Sequence, residues 1–379
     1  MRRPVAILAL TTLLLGPGCI KLDFLFFEAD RASSIEGDYH GLPLHLGQEP
    51  PLWIDEMSIE REIHVAVPTA EAIEPSRLAE HTRYIHGVFL PAPTSCPAVE
   101  CPLVDRDLIF VFQHGNSGHL WRYWYRAVAL WSMGASVFVY TYRGYGLSSG
   151  EASAEHVLQD ADTALAYVLD RPERTATTRI AAYGYSMGAI PTSYLIGASP
   201  RRGEIDAAVL ESGLDDPQSI VSLSTGTDFP AGYFLEADGF DGPAFAARAA
   251  PDLPILHVHG GRDRRVIPEQ AERYTEALRG RPGFTSYLGR TDREHESWIR
   301  EAGHRNVPHA AFLAEHHIAD YWGHPANPGH CCVHPDEFAD PRHQAFLEQV
   351  GQTSGPAMTR SAGQYRALVS GWILEQLGD

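Results

Sequence analysis

Arg179–Gly197 reads RIAAYGYSMGAIPTSYLIG. An apolar run leads into one polar residue, Ser186, which has glycine two places to either side, Gly184 and Gly188. A helix-like run from Ala189 follows. A short apolar run bounded by turn residues reads as a strand buried on both faces. A strand that must turn at once into a helix puts its turn residue in a strained conformation. Bulky neighbours would clash there, which accounts for the glycines. The serine hydroxyl then stands at the C-terminal edge of the sheet, where open α/β sheets place their ligands. The pattern G-x-S-x-G in this strand–turn–helix context is a nucleophile elbow, with Ser186 as the candidate nucleophile.

The flanking sequence supplies the rest of such a sheet. Ile59–Val67 and Tyr84–Ala92 read as opening strands, and Asp107–Gly115, Ala135–Gly146, Asp206–Ser212 and Leu253–Gly260 as buried ones. Leu120–Met133, Ala154–Leu169 and a stretch through Leu195 have helical spacing, and a last helix fits Thr359–Leu377. Strands alternating with helices predict an α/β fold: a doubly wound, mostly parallel sheet of about eight strands. Two segments interrupt the alternation. Residues 213–250, with Phe229, Tyr233, Phe234, Phe240 and Phe245, read as a small cap insertion, and 309–355 as a His/Pro-rich insertion. Loops of this length in a compact domain are usually functional or mobile.

A serine hydroxyl is a poor nucleophile at neutral pH and needs a base held by a carboxylate. Asp263 follows the last strong strand, in HVHGGRDRRVIP, and His304 ends the strand-like run in HESWIREAGHRNVP. The chain order serine, aspartate, histidine is the one this fold uses. His295 competes with His304, and Asp215 and Asp216 are fallback acids. An oxyanion needs N–H donors aimed at it in advance. The backbone N–H groups of Asn116, in FQHGNSGH, and of Met187 are the candidates, with His114 and Gly115 shaping the turn.

HGNSG, YTYRGYGLSSG, GYSMG, HGGRD and AGHRN together resemble the α/β-hydrolase superfamily, over roughly residues 60–305 and the last helix. Within it the sequence resembles the serine hydrolases that carry an HGN oxyanion loop and a YRGYG strand end. The resemblance implies a Ser-His-Asp hydrolase with no metal and no organic cofactor, and makes Arg143–Gly146 a structural turn. Tyr185 stands where glutamate or histidine is frequent, and Ala189 where a second glycine is common. The leading expectation is cleavage of a small-molecule carboxylic ester or thioester through an acyl-enzyme. A peptidase or amidase uses the same parts, an acyltransferase shares the acyl-enzyme, and a noncatalytic binding protein on the same scaffold is the reading from a different class.

Composition bounds these readings. Formal net charge is −18, with 30 Lys and Arg against 48 Asp and Glu, and Lys21 is the single lysine. That excludes the basic footprint of nucleic-acid binding. The start, MRRPVAILALTTLLLGPGC, has a positive n-region at Arg2 and Arg3 and an apolar run from Val5 to Leu15. The run is short of the about 20 apolar residues a membrane span takes. It resembles a bacterial lipoprotein signal with Cys19 as the lipidated residue, although Gly16 stands where leucine is usual and Leu15 comes one place early. The expected organisation is a signal over 1–18, a tether and arm over 19–50 that includes LDFLFF, and a hydrolase domain over 51–379. The expected location is the bacterial cell envelope, anchored to the membrane and facing the periplasm or exterior, where disulfides persist. SCPAVECP then predicts a small Cys96–Cys101 loop, while the adjacent Cys331 and Cys332 receive no assigned partner. His309, His316, His317, His324, His330, His334 and His343 show no standard zinc-ligand spacing, and no metal is assigned to them.

Overall fold

The computed structural model describes residues 26, 27, 29, 60–93, 102–116, 119–131, 133–219, 221, 239–261, 263, 266–288 and 368–378. Nine strands among them form one sheet: β1 (Glu60–Ala66), β2 (Ala72–Ile73), β3 (Tyr84–Leu90), β4 (Leu108–Gln113), β5 (Ser136–Thr141), β6 (Arg179–Tyr185), β7 (Ala207–Glu211), β8 (Ile255–His259) and β9 (Phe284–Leu288). Their spatial order is β2-β1-β3-β5-β4-β6-β7-β8-β9. The first three strands pair antiparallel with one another, and β3 pairs antiparallel with β5. From β5 to β9 every pairing is parallel. The expected fold class, doubly wound and mostly parallel, is the one observed.

The central strands are buried end to end, as their unbroken apolar runs require: every residue of β4 and of β7 is buried. Alternate residues feed two cores. On one face Ile109, Val111, Phe138, Ala182 and Leu210 pack beneath α2 (Ala154–Leu169) and α3 (Ala189–Gly197). On the other, Phe110, Phe112, Val139, Tyr183 and Val209 pack with residues of α1 (Leu120–Trp131) and of α6 (368–377). Each large apolar side chain so buried contributes about 1.5–3 kcal/mol relative to exposure.

The described parts of the 213–250 insertion carry α4 (Gly242–Ala246), started by Asp241, whose side chain accepts from the Ala244 N–H. α4 lies so close to α3 that a Cβ on Gly197 would sit 1.9 Å from the Phe245 carbonyl oxygen. Phe240 and Phe245 are 3% and 8% exposed and belong to the core, whereas Phe229, Tyr233 and Phe234 lie outside the described residues. α5 (Pro268–Leu278) and β9 complete the sheet's far edge. The sequence reading passed over both and placed a strand-like run near His295 instead; that run lies outside the described residues. β9, FTSYL, is an edge strand of five residues with Thr285 and Ser286 at its centre, so it lacks the apolar signature of a buried strand.

There is no disulfide among the described residues: all five cysteines, and with them the expected Cys96–Cys101 bridge, lie outside them. The proposed lipidation residue Cys19, the 309–355 insertion with its histidines, and the start of the expected last helix also lie outside them. Among the described residues, no helix is long and apolar enough to cross a membrane.

Candidate active site

Strand order locates the site. From β4 the chain moves to one side to form β5, then returns to the other side of β4 to form β6. This reversal leaves a crevice beyond the C-terminal ends of β4 and β6, the switch point at which open α/β sheets bind ligands. Both sequence-predicted loops flank it: His114–Asn116 leave β4, and Ser186 leaves β6.

Ser186 has φ of 55°, the left-handed conformation that a non-glycine residue adopts at a cost of about 1–3 kcal/mol. It opens a tight 3₁₀ turn, Ser186–Gly188, that runs straight into α3. The flanking glycines are required by contact rather than by φ. A Cβ on Gly184 would meet the Gly188 carbonyl oxygen and the Thr192 hydroxyl, each at 2.4 Å. A Cβ on Gly188 would lie 2.0 Å from the Gln113 carbonyl oxygen and 2.8 Å from that of His114. The elbow is therefore pressed against the end of β4. Gly115 is hemmed in as well: its Cβ would lie 3.3 Å from the Ser186 Cβ and 2.9 Å from the Tyr123 hydroxyl. Ser186 is 8% exposed, enclosed but reachable.

His114 is fully buried in a cage of tyrosines, stacked on Tyr123 at 5.1 Å and tilted against Tyr142 at 4.3 Å. The Tyr142 hydroxyl donates to the His114 carbonyl (3.0 Å). Burial holds the imidazole down to about 3, so it is neutral at working pH and shapes the loop, as its position suggested. Asn116 is clamped at both ends of its carboxamide. Its Nδ2 donates to the Phe26 carbonyl (2.5 Å), and its Oδ1 accepts from the Tyr145 hydroxyl (2.8 Å). Met187 is buried in the first turn after the strand, where helical N–H groups lack an acceptor in a preceding turn.

Asp263 lies beyond the end of β8 and is 3% exposed. Its Oδ1 accepts from the Val266 N–H (3.0 Å), and its own N–H donates to the Gly260 carbonyl (3.2 Å). His259 stands by: its Nε2 is 2.8 Å from the Val266 carbonyl and 3.5 Å from Asp263 Oδ2, so the carbonyl is its closer partner. The fallback acids are engaged elsewhere. Asp215 receives Arg273 (2.8 Å) and Gln270 (3.0 Å), and Arg273 also holds Asp216 and Asp241. Burial, then the Asp216 charge, raises Asp215, while Arg273 opposes both. His304 and its rival His295 lie outside the described residues. The structure thus places Gly115, the residue before Asn116, against Ser186 at the C-terminal ends of β4 and β6, and puts Asp263 on the loop that leaves β8.

Arg143 is no part of the crevice. It is buried and donates from Nε to Asp160 (2.6 Å), while Gly144, with φ of 90°, makes the turn. Sequence reasoning missed the support beneath the elbow. Arg126 pairs with Glu211 at 2.6 Å with both side chains buried, its guanidinium lies 3.5 Å over the Tyr185 ring, and the Tyr183 hydroxyl donates to the same carboxylate. An arginine within the apolar stripe of α1 was the available signal. Tyr185 therefore faces this cluster. Among the described residues, no group of three or more His, Cys, Asp or Glu could hold a metal ion.

The sheet and the elbow define a serine-hydrolase-type α/β-hydrolase scaffold. Residues 105–225, which carry β4 to β7, match the family model described as serine aminopeptidase, S33. The chain is 28% identical over 202 residues to the uncharacterized protein YfhR of Escherichia coli, covering 53% of this chain and 66% of that one. It is 30% identical over 170 residues to protein bem46 of Schizosaccharomyces pombe, covering 43% and 52%. Among solved structures, the esterase Pf2001 of Pyrococcus furiosus superposes with a TM-score of 0.49 at 14% identity, covering 88% of this chain and 96% of that one. The family description sides with the peptidase alternative rather than with the ester or thioester expectation.

Proposed function

We propose that the chain is a serine hydrolase that works through an acyl-enzyme on Ser186. The observation that carries this is the strained φ of 55° at Ser186, beside a glycine loop whose Cβ would touch it. Strain of this kind persists only where the surroundings over-determine it. Ser186 attacks the substrate carbonyl, the N–H groups of Asn116 and Met187 receive the oxyanion, and His304 takes the proton and returns it to the leaving group. Asp263 orients that histidine. Water then releases the acyl group by the same steps in reverse.

The bond cleaved is read as an amide of the peptide type, because the matching family description is serine aminopeptidase. Ester or thioester cleavage is the second reading. It is favoured by the partly exposed ring of Phe27, packed on the buried Phe26 and Phe240 next to Asn116, which suits an apolar acyl chain. Cys19 would anchor the protein by lipid to the bacterial envelope, so that the substrate is met outside the cytoplasm. The test is turnover of aminoacyl p-nitroanilides against p-nitrophenyl esters of rising acyl length. Faster kcat/KM on the anilides, abolished in Ser186→Ala, supports the amide reading. Turnover confined to the esters replaces it with the second reading, and turnover retained by Ser186→Ala removes both.

A further inference from the structure

Phe26 lies far upstream of β1, yet it is 1% exposed and sits in the larger apolar core. Its ring packs edge-on against Phe27 at 4.9 Å and Phe240 at 6.3 Å, and its carbonyl accepts the Asn116 Nδ2. Apolar filling alone does not need that hydrogen bond, and it falls on the residue read as an oxyanion donor. The loop before it is held in place up to Gly115: the Tyr142 hydroxyl donates to the His114 carbonyl, and Gly115 lies against Tyr123 and Ser186. Asn116 follows directly, and its carboxamide is tied to two other parts of the chain, the Phe26 carbonyl at one end and the Tyr145 hydroxyl at the other.

We infer that the Phe26–Phe27 arm is a positioning element of the active site: with Tyr145 it clamps the Asn116 side chain and so aims the Asn116 N–H at the oxyanion. The inference rests on the hydrolase reading above. Phe26 touches no reacting atom in this role; it acts through Asn116. A donor removed outright costs about 10²–10³ in kcat, and a donor left in place but unaimed costs part of that.

The full-length chain tests this with Phe26→Ala, Tyr145→Phe and the double variant. Tyr145→Phe keeps the ring that fills the core and removes the hydroxyl, so its fold is preserved. The readouts are the rate of fluorophosphonate labelling per folded molecule, and kcat and KM on the best substrate. Each single variant is expected to label about tenfold or more slowly, with kcat reduced and KM within about threefold. The double variant should be about as slow as the slower single, because both act through one clamp. Singles that label within twofold of the parent, or losses that multiply in the double variant, make the arm simple packing and overturn the inference while leaving the hydrolase reading intact. A folded parent that does not label at Ser186 overturns both.

Discussion

Gly188→Ala isolates the close approach on which the site depends. At φ of −60° and ψ of −16° the backbone there suits alanine, so conformational preference alone favours the change by up to about 1 kcal/mol. Contact opposes it. The new Cβ would lie 2.0 Å from the Gln113 carbonyl oxygen and 2.6 Å from its carbon, both backbone atoms of a central strand. Restoring even a 3.0 Å separation takes a shift of about 1 Å between the end of β4 and the elbow. Overpacking of this kind costs about 1–3 kcal/mol, so a net loss of roughly 1–2 kcal/mol is expected. The same shift carries the Asn116 N–H away from Ser186, and losing that donor costs about 10²–10³ in rate. Gly203→Ala is the control, since nothing lies within 4 Å of its Cβ. Urea unfolding gives the first quantity and the fluorophosphonate labelling rate the second. A Gly188→Ala protein that unfolds at the parental midpoint and labels within threefold of the parental rate refutes the reasoning.

The buried imidazoles of His114 and His257 predict acid sensitivity. Burial holds each down to about 3 in the native protein, from 6.5 in the unfolded chain. Their contribution is full above pH 6.5 and drains as pH falls toward 3, by about 1.4 kcal/mol per pH unit for each, hence about 4 kcal/mol for the pair at pH 5. His257→Leu should lower the slope of unfolding free energy against pH between 6 and 4, by up to about 1 kcal/mol per pH unit, measured in urea; an unchanged slope counts against it. Removing one partner of the buried Arg126–Glu211 pair, as in Glu211→Gln, should cost about 3–5 kcal/mol, whereas Arg126→Met with Glu211→Leu should cost clearly less, by the same measurement. Arg273→Gln leaves the buried Asp215 without its cation, a loss of about 1–3 kcal/mol at pH 7. That loss should shrink as pH falls, because protonating Asp215 relieves it, and melts at pH 7 and 5 report the difference.

What was legible in the sequence was whatever short-range chemistry dictates. Gly184, Ser186 and Gly188 announce the elbow because their spacing falls between a buried strand run and a helix, although the contact that requires Gly188 comes from the distant Gln113, and β4 to β8 announce themselves by runs buried on both faces. β9 was missed because an edge strand with Thr285 and Ser286 has no such run. The Arg126–Glu211 pair and the Phe26–Asn116 hydrogen bond join residues far apart in the chain, and no spacing encodes them. The choice of Asp263 over Asp215 was read from chain order, and the partnership of Asp215 with Arg273 and Gln270 is another long-range contact that no spacing encodes. The bond cleaved was the weakest reading, because ester and amide hydrolysis ask for the same residues at the elbow.

The most direct measurement is the mass of the intact protein after a fluorophosphonate, followed by peptide mapping. The account predicts one adduct per folded chain, on the peptide that contains Ser186, and none in Ser186→Ala at the same unfolding midpoint. A folded protein that takes no adduct, or takes it on another residue, contradicts the claim that Ser186 is the nucleophile.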